Sequence, residues 1–269
     1  MTEEVTLHQV MVKTSYLTQI TAPEDKGVEH PIGFGSGFIV RHNSNEQFFV
    51  TADHTIHPDD SDGEIEQRTW KDYTISVFTN YVDPANPLST PIIPLGGFYY
   101  AEEFDLLKPE KMPRLVDVSL CKLKDINLQY PFLTDEVSFL NGELIKAGEN
   151  KFAIMEECFA EPNVDKEYFV FGKVRAKLID VIPMQWENTI KEDIKFISQA
   201  GDYLLFNAPA IITDKADWKG LSGSPVLSKE GYCVGVLCDV LENSSSVWVM
   251  PFILLKGCSR LQFRRRQLT

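Results

Sequence analysis

The chain has 269 residues, 43% hydrophobic and 24% charged, which suits a soluble globular protein with a substantial core. Its formal net charge of −13 argues against nucleic acid as a partner. The longest apolar run, residues 247–255, is too short for a membrane span and contains Pro251, so no membrane association is expected.

The N-terminus has acidic residues where a signal peptide would be basic, and no apolar core follows. The five cysteines, Cys121, Cys158, Cys233, Cys238 and Cys258, are odd in number and widely spaced, with no Cys-x-x-Cys pair. Neither a disulfide framework nor a zinc site is expected, and the chain reads as cytoplasmic, with reduced thiols and no metal or cofactor.

Residues 1–27 read as a lead-in arm. Leu7, Val10, Met11 and Ile20 could share a helical face, while Tyr16–Thr21 also fits a strand, and the pattern leaves both open. Pro23 and Gly27 then break the chain. Gly33–Val40 is a glycine-rich approach into a β-branched strand, residues 41–46 are turn chemistry, and Gln47–Ala52 is a second strand, together a hairpin. His54 falls just past its end, where a rigid strand delivers a side chain to one place. The other histidines, His8, His30, His42 and His57, read as surface or capping residues.

An acidic loop follows at residues 58–66. Short strand candidates recur at Tyr73–Phe78, Ile92–Leu95 and Val116–Leu123, a spacing that predicts a sandwich or barrel. Asp117 heads the last of them, an acid opening an otherwise alternating apolar strand. A first β unit is assigned to residues 28–130, a linker to 131–150 and a second β unit to 151–269. Strand candidates in the second unit are 167–172, 175–181, 194–198, 203–207, 225–227, 232–237 and 247–249. Phe252–Leu261 is expected to close the chain as a short helix, and Arg264, Arg265 and Arg266 read as a solvated tail.

One stretch carries chemistry: Trp218-Lys219-Gly220-Leu221-Ser222-Gly223-Ser224-Pro225-Val226. It places a serine between glycines on a tight loop ahead of an apolar strand, where neighbouring N–H groups can converge on one point. A serine nucleophile also needs a base and a group to orient that base. His54 and Asp117 are the candidates, each beside a strand end.

Four motifs in this order resemble a chymotrypsin/trypsin-type serine peptidase of the HtrA-like style. They are Gly35-Ser36-Gly37-Phe38-Ile39-Val40, Thr51-Ala52-Asp53-His54, Asp117-Val118-Ser119-Leu120 and Gly220-Leu221-Ser222-Gly223-Ser224-Pro225; Gly231–Val236 falls where the family has its next strand. The resemblance implies an all-β fold of two antiparallel six-stranded barrels with the site between them. It also implies a His54–Asp117–Ser222 triad and an oxyanion hole from the N–H groups of Gly220 and Ser222. By position, Ala216, Asp217, Trp218 and Lys219 should form one wall of the substrate pocket, and Cys238, Asp239 and Val240 another. A basic preference and a small or apolar preference fit about equally well.

Three departures from the family pattern stand out. Asp53 replaces a small apolar residue; facing His54 it would raise the histidine pKa, and facing solvent it would do little. Leu221 replaces the acid that pairs with a new N-terminus, and no Ile-Val-Gly-Gly-like segment precedes the first barrel, so activation by N-terminal cleavage is not expected. Cys238 stands where relatives have a hydroxyl supporting the aspartate, and a thiol is a weaker donor. The expectation is an intracellular serine endopeptidase acting on protein or peptide substrates under the control of a partner or signal. The alternative is a protease-like binding module. An α/β-hydrolase fits poorly, because position 224 is serine rather than the elbow glycine and the residue order is wrong.

Overall fold

Both patterns in the N-terminal segment are used, one after the other. Thr6 caps helix α1 (Leu7–Thr14) in a reciprocal capping box with Gln9, and the chain then extends into strand β1 (Ser15–Thr21), every residue of which is buried. The segment expected as an arm therefore contributes a central strand: β1 lies between β2 (Pro31–Arg41) and β4 (Thr74–Phe78). The computed structural model describes residues 6–24, 31–42, 45–57, 73–78, 92–103, 114–123, 136–139, 141–146, 148–175, 186–252 and 261–265. The acidic loop 58–66, His30, Cys258 and Arg266 lie outside them.

The first sheet runs β17-β6-β7-β3-β2-β1-β4-β5, with β10 (Ile154–Met155) added parallel to β2. Here β3 is Gln47–Thr51, β5 is Ile92–Leu95, β6 is Phe98–Glu103, β7 is Arg114–Leu123 and β17 is Leu261–Arg265. The expected hairpin forms between β2 and β3, with Phe38 opposite Val50 and Arg41 opposite Gln47. β7 then pairs with β3, Thr51 opposite Ser119, which brings the strand of Asp117 alongside the strand that ends before His54. A small hairpin of β8 (Val137–Ser138) and β9 (Leu144–Ile145) leads to the second half.

That half is a closed barrel, β11-β12-β13-β16-β15-β14. Its strands are β11 (Glu167–Arg175), β12 (Trp186–Ala200), β13 (Tyr203–Ile212), β14 (Pro225–Ser228), β15 (Cys233–Val240) and β16 (Ser244–Pro251). The pairing of Phe169 with Leu227 closes it. The first half, the counterpart of the first expected barrel, is a nine-stranded sheet among the described residues. Residues 176–181 of one predicted strand lie outside the described residues. The chain at Leu261–Arg265, where the predicted C-terminal helix ends and the solvated tail begins, is a strand paired to β6; residues 253–260 lie outside the described residues.

Each half has its own apolar cluster, around Ile39, Phe49 and Val77 in the sheet and around Tyr168, Phe206 and Val249 in the barrel. A third cluster joins them, packing Phe38, Val50 and Val118 of the sheet against Phe169, Val236 and Phe252 of the barrel side. This shared core fixes the two halves against each other, and the candidate site lies along their junction.

Candidate active site

Ala52 leaves β3 in an extended conformation, and the next three residues close a single 3-10 turn, Asp53–Thr55, which carries His54. Asp117 on neighbouring β7 meets it twice. One carboxylate oxygen accepts the His54 backbone N–H at 3.0 Å, and the two oxygens lie 3.0 and 2.9 Å from Nδ1. A carboxylate there makes Nδ1 the protonated nitrogen and leaves the Nε2 lone pair available. Burial pulls the His54 pKa down, but the hydrogen bond and charge of Asp117 outweigh it, with Asp239 and Asp53 adding, so the net shift is upward.

Ser222 sits on a loop between a 3-10 turn, Lys215–Trp218, and β14. Asp214 caps the turn, accepting the Ala216 N–H at 2.8 Å. The chain then makes a tight turn in which Leu221 N–H donates to the Trp218 carbonyl at 3.0 Å. Lys219 at φ −66°, ψ 121° and Gly220 at φ 102° give it type II geometry, which requires glycine at the third position. From 219 to 224 the backbone donors fall into two sets. Lys219, Leu221, Gly223 and Ser224 donate to the carbonyls of Ala216, Trp218, Leu237 and Leu221, respectively. The N–H groups of Gly220 and Ser222 have no acceptor among the described residues. Two free donors two residues apart, beside a serine hydroxyl, suit an anionic oxygen.

The loop is held from the other half. Ser36 N–H donates to the Ser222 carbonyl at 2.8 Å, its hydroxyl donates to the Gly220 carbonyl at 2.6 Å, and its own carbonyl accepts the Thr51 hydroxyl at 2.7 Å. The approach is too close for any side chain at Gly223, where a Cβ would stand 2.0 Å from the Ser36 oxygen. The motif Gly35-Ser36-Gly37 was legible only as the lead into a strand; its hold on the Ser222 loop was missed.

His54 and Ser222 line one cleft of about 490 Å³. The Ser222 hydroxyl donates to the Cys238 carbonyl at 3.1 Å, and no bond from it to His54 occurs among the described hydrogen bonds. Of the predicted pocket residues, Ala216, Trp218, Lys219, Asp239 and Val240 line this cleft, as do the apolar Ile20, Phe34 and Leu237. Asp217 does not; it lines a separate cavity. Cys238 lies behind the cleft, its thiol 3.4 Å from the Asp117 carbonyl and pushed well above the ordinary thiol range by burial and by Asp117. Lys215, which the sequence did not single out, pairs with Asp239 at 3.1 Å on the cleft rim.

Asp53 takes neither of its two expected directions. It is buried, with one oxygen accepting the Ser119 hydroxyl and lying 3.2 Å from His57 Nδ1. His57 is accordingly a buried partner and not a surface residue, whereas His8 and His42 pair with Glu143 and Glu156 at 2.8 and 3.3 Å. No three His, Cys, Asp or Glu side chains converge as a metal-ligand set among the described residues.

A β-sheet whose elements present His54 and Asp117, joined to a closed antiparallel barrel whose β14 follows the Ser222 loop, has the all-β fold of the trypsin-like serine peptidases. Among solved structures the chain is similar to the serine endoprotease from Yersinia pestis, with a TM-score of 0.45 and 13% identity over 93% of this chain and 62% of that one. It is also similar to the MamO protease domain from Magnetospirillum magneticum in its apo form, with a TM-score of 0.45 and 11% identity over 93% of this chain and 98% of that one. The chain spans less than two thirds of the Yersinia protein. No protein-family model and no curated protein matches the sequence.

Proposed function

We propose that the protein is a serine endopeptidase acting on protein or peptide substrates. The observation that carries this reading is the double contact of Asp117 with His54, which leaves Nε2 as the base beside the cleft that holds Ser222. Ser222 Oγ attacks the scissile carbonyl carbon while its proton passes to Nε2. The oxygen of the tetrahedral intermediate takes the free N–H groups of Gly220 and Ser222, a pair whose members are each worth about 10²–10³ in turnover. His54 then gives the proton to the departing amine, and a water deprotonated by the same nitrogen hydrolyses the acyl-enzyme. The resting Ser222 hydroxyl rests on the Cys238 carbonyl. An amide N–H of a bound peptide competes for that carbonyl and frees the hydroxyl to turn to His54.

The residue preceding the cleaved bond is apolar. Asp217 faces away from the cleft, and the remaining carboxylate, Asp239, is engaged by Lys215, so the walls that can receive a side chain are Ala216, Trp218, Leu237 and Val240.

Labelling by a fluorophosphonate serine-hydrolase probe tests the reading. The parent should label, and Ser222→Ala and His54→Ala should not. The alternative, a protease-like binding module, is favoured by the missing bond between Ser222 and His54. It predicts a folded parent that does not label even with peptide substrates present.

A further inference from the structure

A second cavity, of about 730 Å³, opens on the barrel where β12 and β13 part. The two strands pair from Ala200 opposite Tyr203 as far as Lys195 opposite Asn207. Beyond Asn207, β13 also leaves β16: Asn207 lies opposite Ser246 and Ile212 opposite Ser244, so the four residues 208–211 face the single Ser245. Their backbone groups have no ladder partner on either side among the described residues. β12 turns away through Asp193, a non-glycine residue at φ 55°, and residues 190–193 form the opposite wall of the cavity.

An unpaired strand edge is a template for another strand, and most proteins cover or charge it. Among the described residues no strand pairs with this edge and none of its four residues is charged; Ala208 is buried and Pro209 has no N–H, so Ala210 and Ile211 carry its exposed amide donors. It reads Ala208-Pro209-Ala210-Ile211, and Ile211, 65% exposed, is the most exposed large apolar side chain among the described residues. The rim carries more acidic than basic groups: Glu192, Asp193, Asp214 and Asp217 stand against His8, whose Nε2 lies 3.8 Å from Glu192, and Lys191, whose ammonium lies 4.9 Å above the Trp218 ring on the cavity wall.

We propose that this cavity docks an extended segment of a partner protein, with alternating apolar and basic side chains, which adds as a strand to residues 208–211 of β13. Backbone hydrogen bonds to the open edge supply register, the apolar side chains pack beside Ile211, and the basic ones meet the rim carboxylates. The proposed catalysis makes no use of this site. Trp218 alone, among the residues named here, lines both cavities.

The test uses the full chain carrying Ser222→Ala and three capped hexapeptides: alternating lysine and valine, alternating glutamate and valine, and the lysine peptide with N-methylated valines. Calorimetry should show binding of the lysine peptide, weakened about tenfold or more by N-methylation and by Ile211→Lys. The glutamate peptide should not bind, and Lys215→Ala, at the rim of the Ser222 cleft, should leave the affinity unchanged. Ile211 is exposed, so its replacement leaves the barrel folded, and N-methylation tests strand addition with no change to the protein. Absent binding of the lysine peptide, or equal affinity for the N-methylated peptide or for Ile211→Lys, would overturn the proposal.

Discussion

Ser36 and Ser222 are joined across the two halves by a 2.8 Å hydrogen bond from the Ser36 N–H to the Ser222 carbonyl. The Ser36 hydroxyl holds the Gly220 carbonyl, so one residue of the first sheet restrains the loop on both sides of the Ser222 N–H. Ser36→Ala removes only the second bond. Stability should fall by about 1–2 kcal/mol, the cost of a buried hydrogen bond and its orphaned acceptor, and probe labelling should slow. Gly223→Ala is harsher: its Cβ meets the Ser36 carbonyl at a residue already at φ 90°. Denaturant unfolding should show a loss on the order of 3 kcal/mol or more, with labelling abolished. A Gly223→Ala protein that labels like the parent would rule out this clamp.

The pH profile of labelling should report His54. Its pKa is raised from 6.5, and the proposed catalysis needs the neutral imidazole, so labelling should be lost as pH falls, with a midpoint above the ordinary histidine value. Asp239 contributes to that rise, so Asp239→Asn should move the acid limb to lower pH. The linked stability has the opposite sense. A raised folded-state pKa stabilises below the unfolded value and loses that contribution as pH rises through the folded one. An acid limb that stays put in Asp239→Asn would separate the profile from His54.

Lys215 should govern substrate choice through Asp239. Their ion pair is exposed, and such pairs are weak, so freeing Asp239 by Lys215→Ala should raise cleavage after basic residues by only about two- to fivefold. Profiling parent and variant on a peptide library measures this. A parent that already prefers basic residues would contradict the apolar assignment of the pocket.

The elements that build the candidate site were legible because their signals are local. A hairpin needs only two alternating runs and a turn, and the Ser222 loop needs glycines where the backbone must bend. What was missed depends on rotation and on distant partners. Successive side chains of a 3-10 turn fan out by about a third of a turn each. Asp217 is thereby carried away from the cleft that Ala216 and Trp218 line, a reversal invisible in the string Ala216-Asp217-Trp218. Asp53 gave no sign of its direction, because Ser119 reaches it from another strand. The strand at Leu261–Arg265 needs β6 as a partner, and no pattern within five residues reports that.

Lys151 is 6% exposed, with its Nζ donating to the carbonyls of Val12 and Ser15 at the end of α1 and lying 4.6 Å from the Tyr16 ring centroid. Burial, with Lys173 nearby, pushes its pKa down to about 7. A lysine lowered in the folded state costs stability below that pKa, and the cost fades as pH rises toward 10.5, the unfolded value. The stability of the parent relative to Lys151→Met should therefore rise between pH 7 and 10, on the order of 4 kcal/mol at most. Denaturant unfolding of both proteins across that range measures it, and parallel curves would mean that Lys151 keeps its charge.

Asp53 ties the turn carrying His54 to the strand carrying Asp117 through Ser119, a second link besides the His54–Asp117 contact. It also anchors His57 four residues on. Asp53→Ala removes the buried acceptor that Ser119 and His57 share and should cost about 2–4 kcal/mol. Asp53→Asn keeps the shape and the Ser119 contact but removes the charge that helps raise the His54 pKa. It should fold, label at high pH and show an acid limb shifted downward. Loss of labelling at every pH in a folded Asp53→Asn would instead make the charge itself necessary for holding His54 in place. An unshifted limb with full labelling would reduce Asp53 to a packing residue.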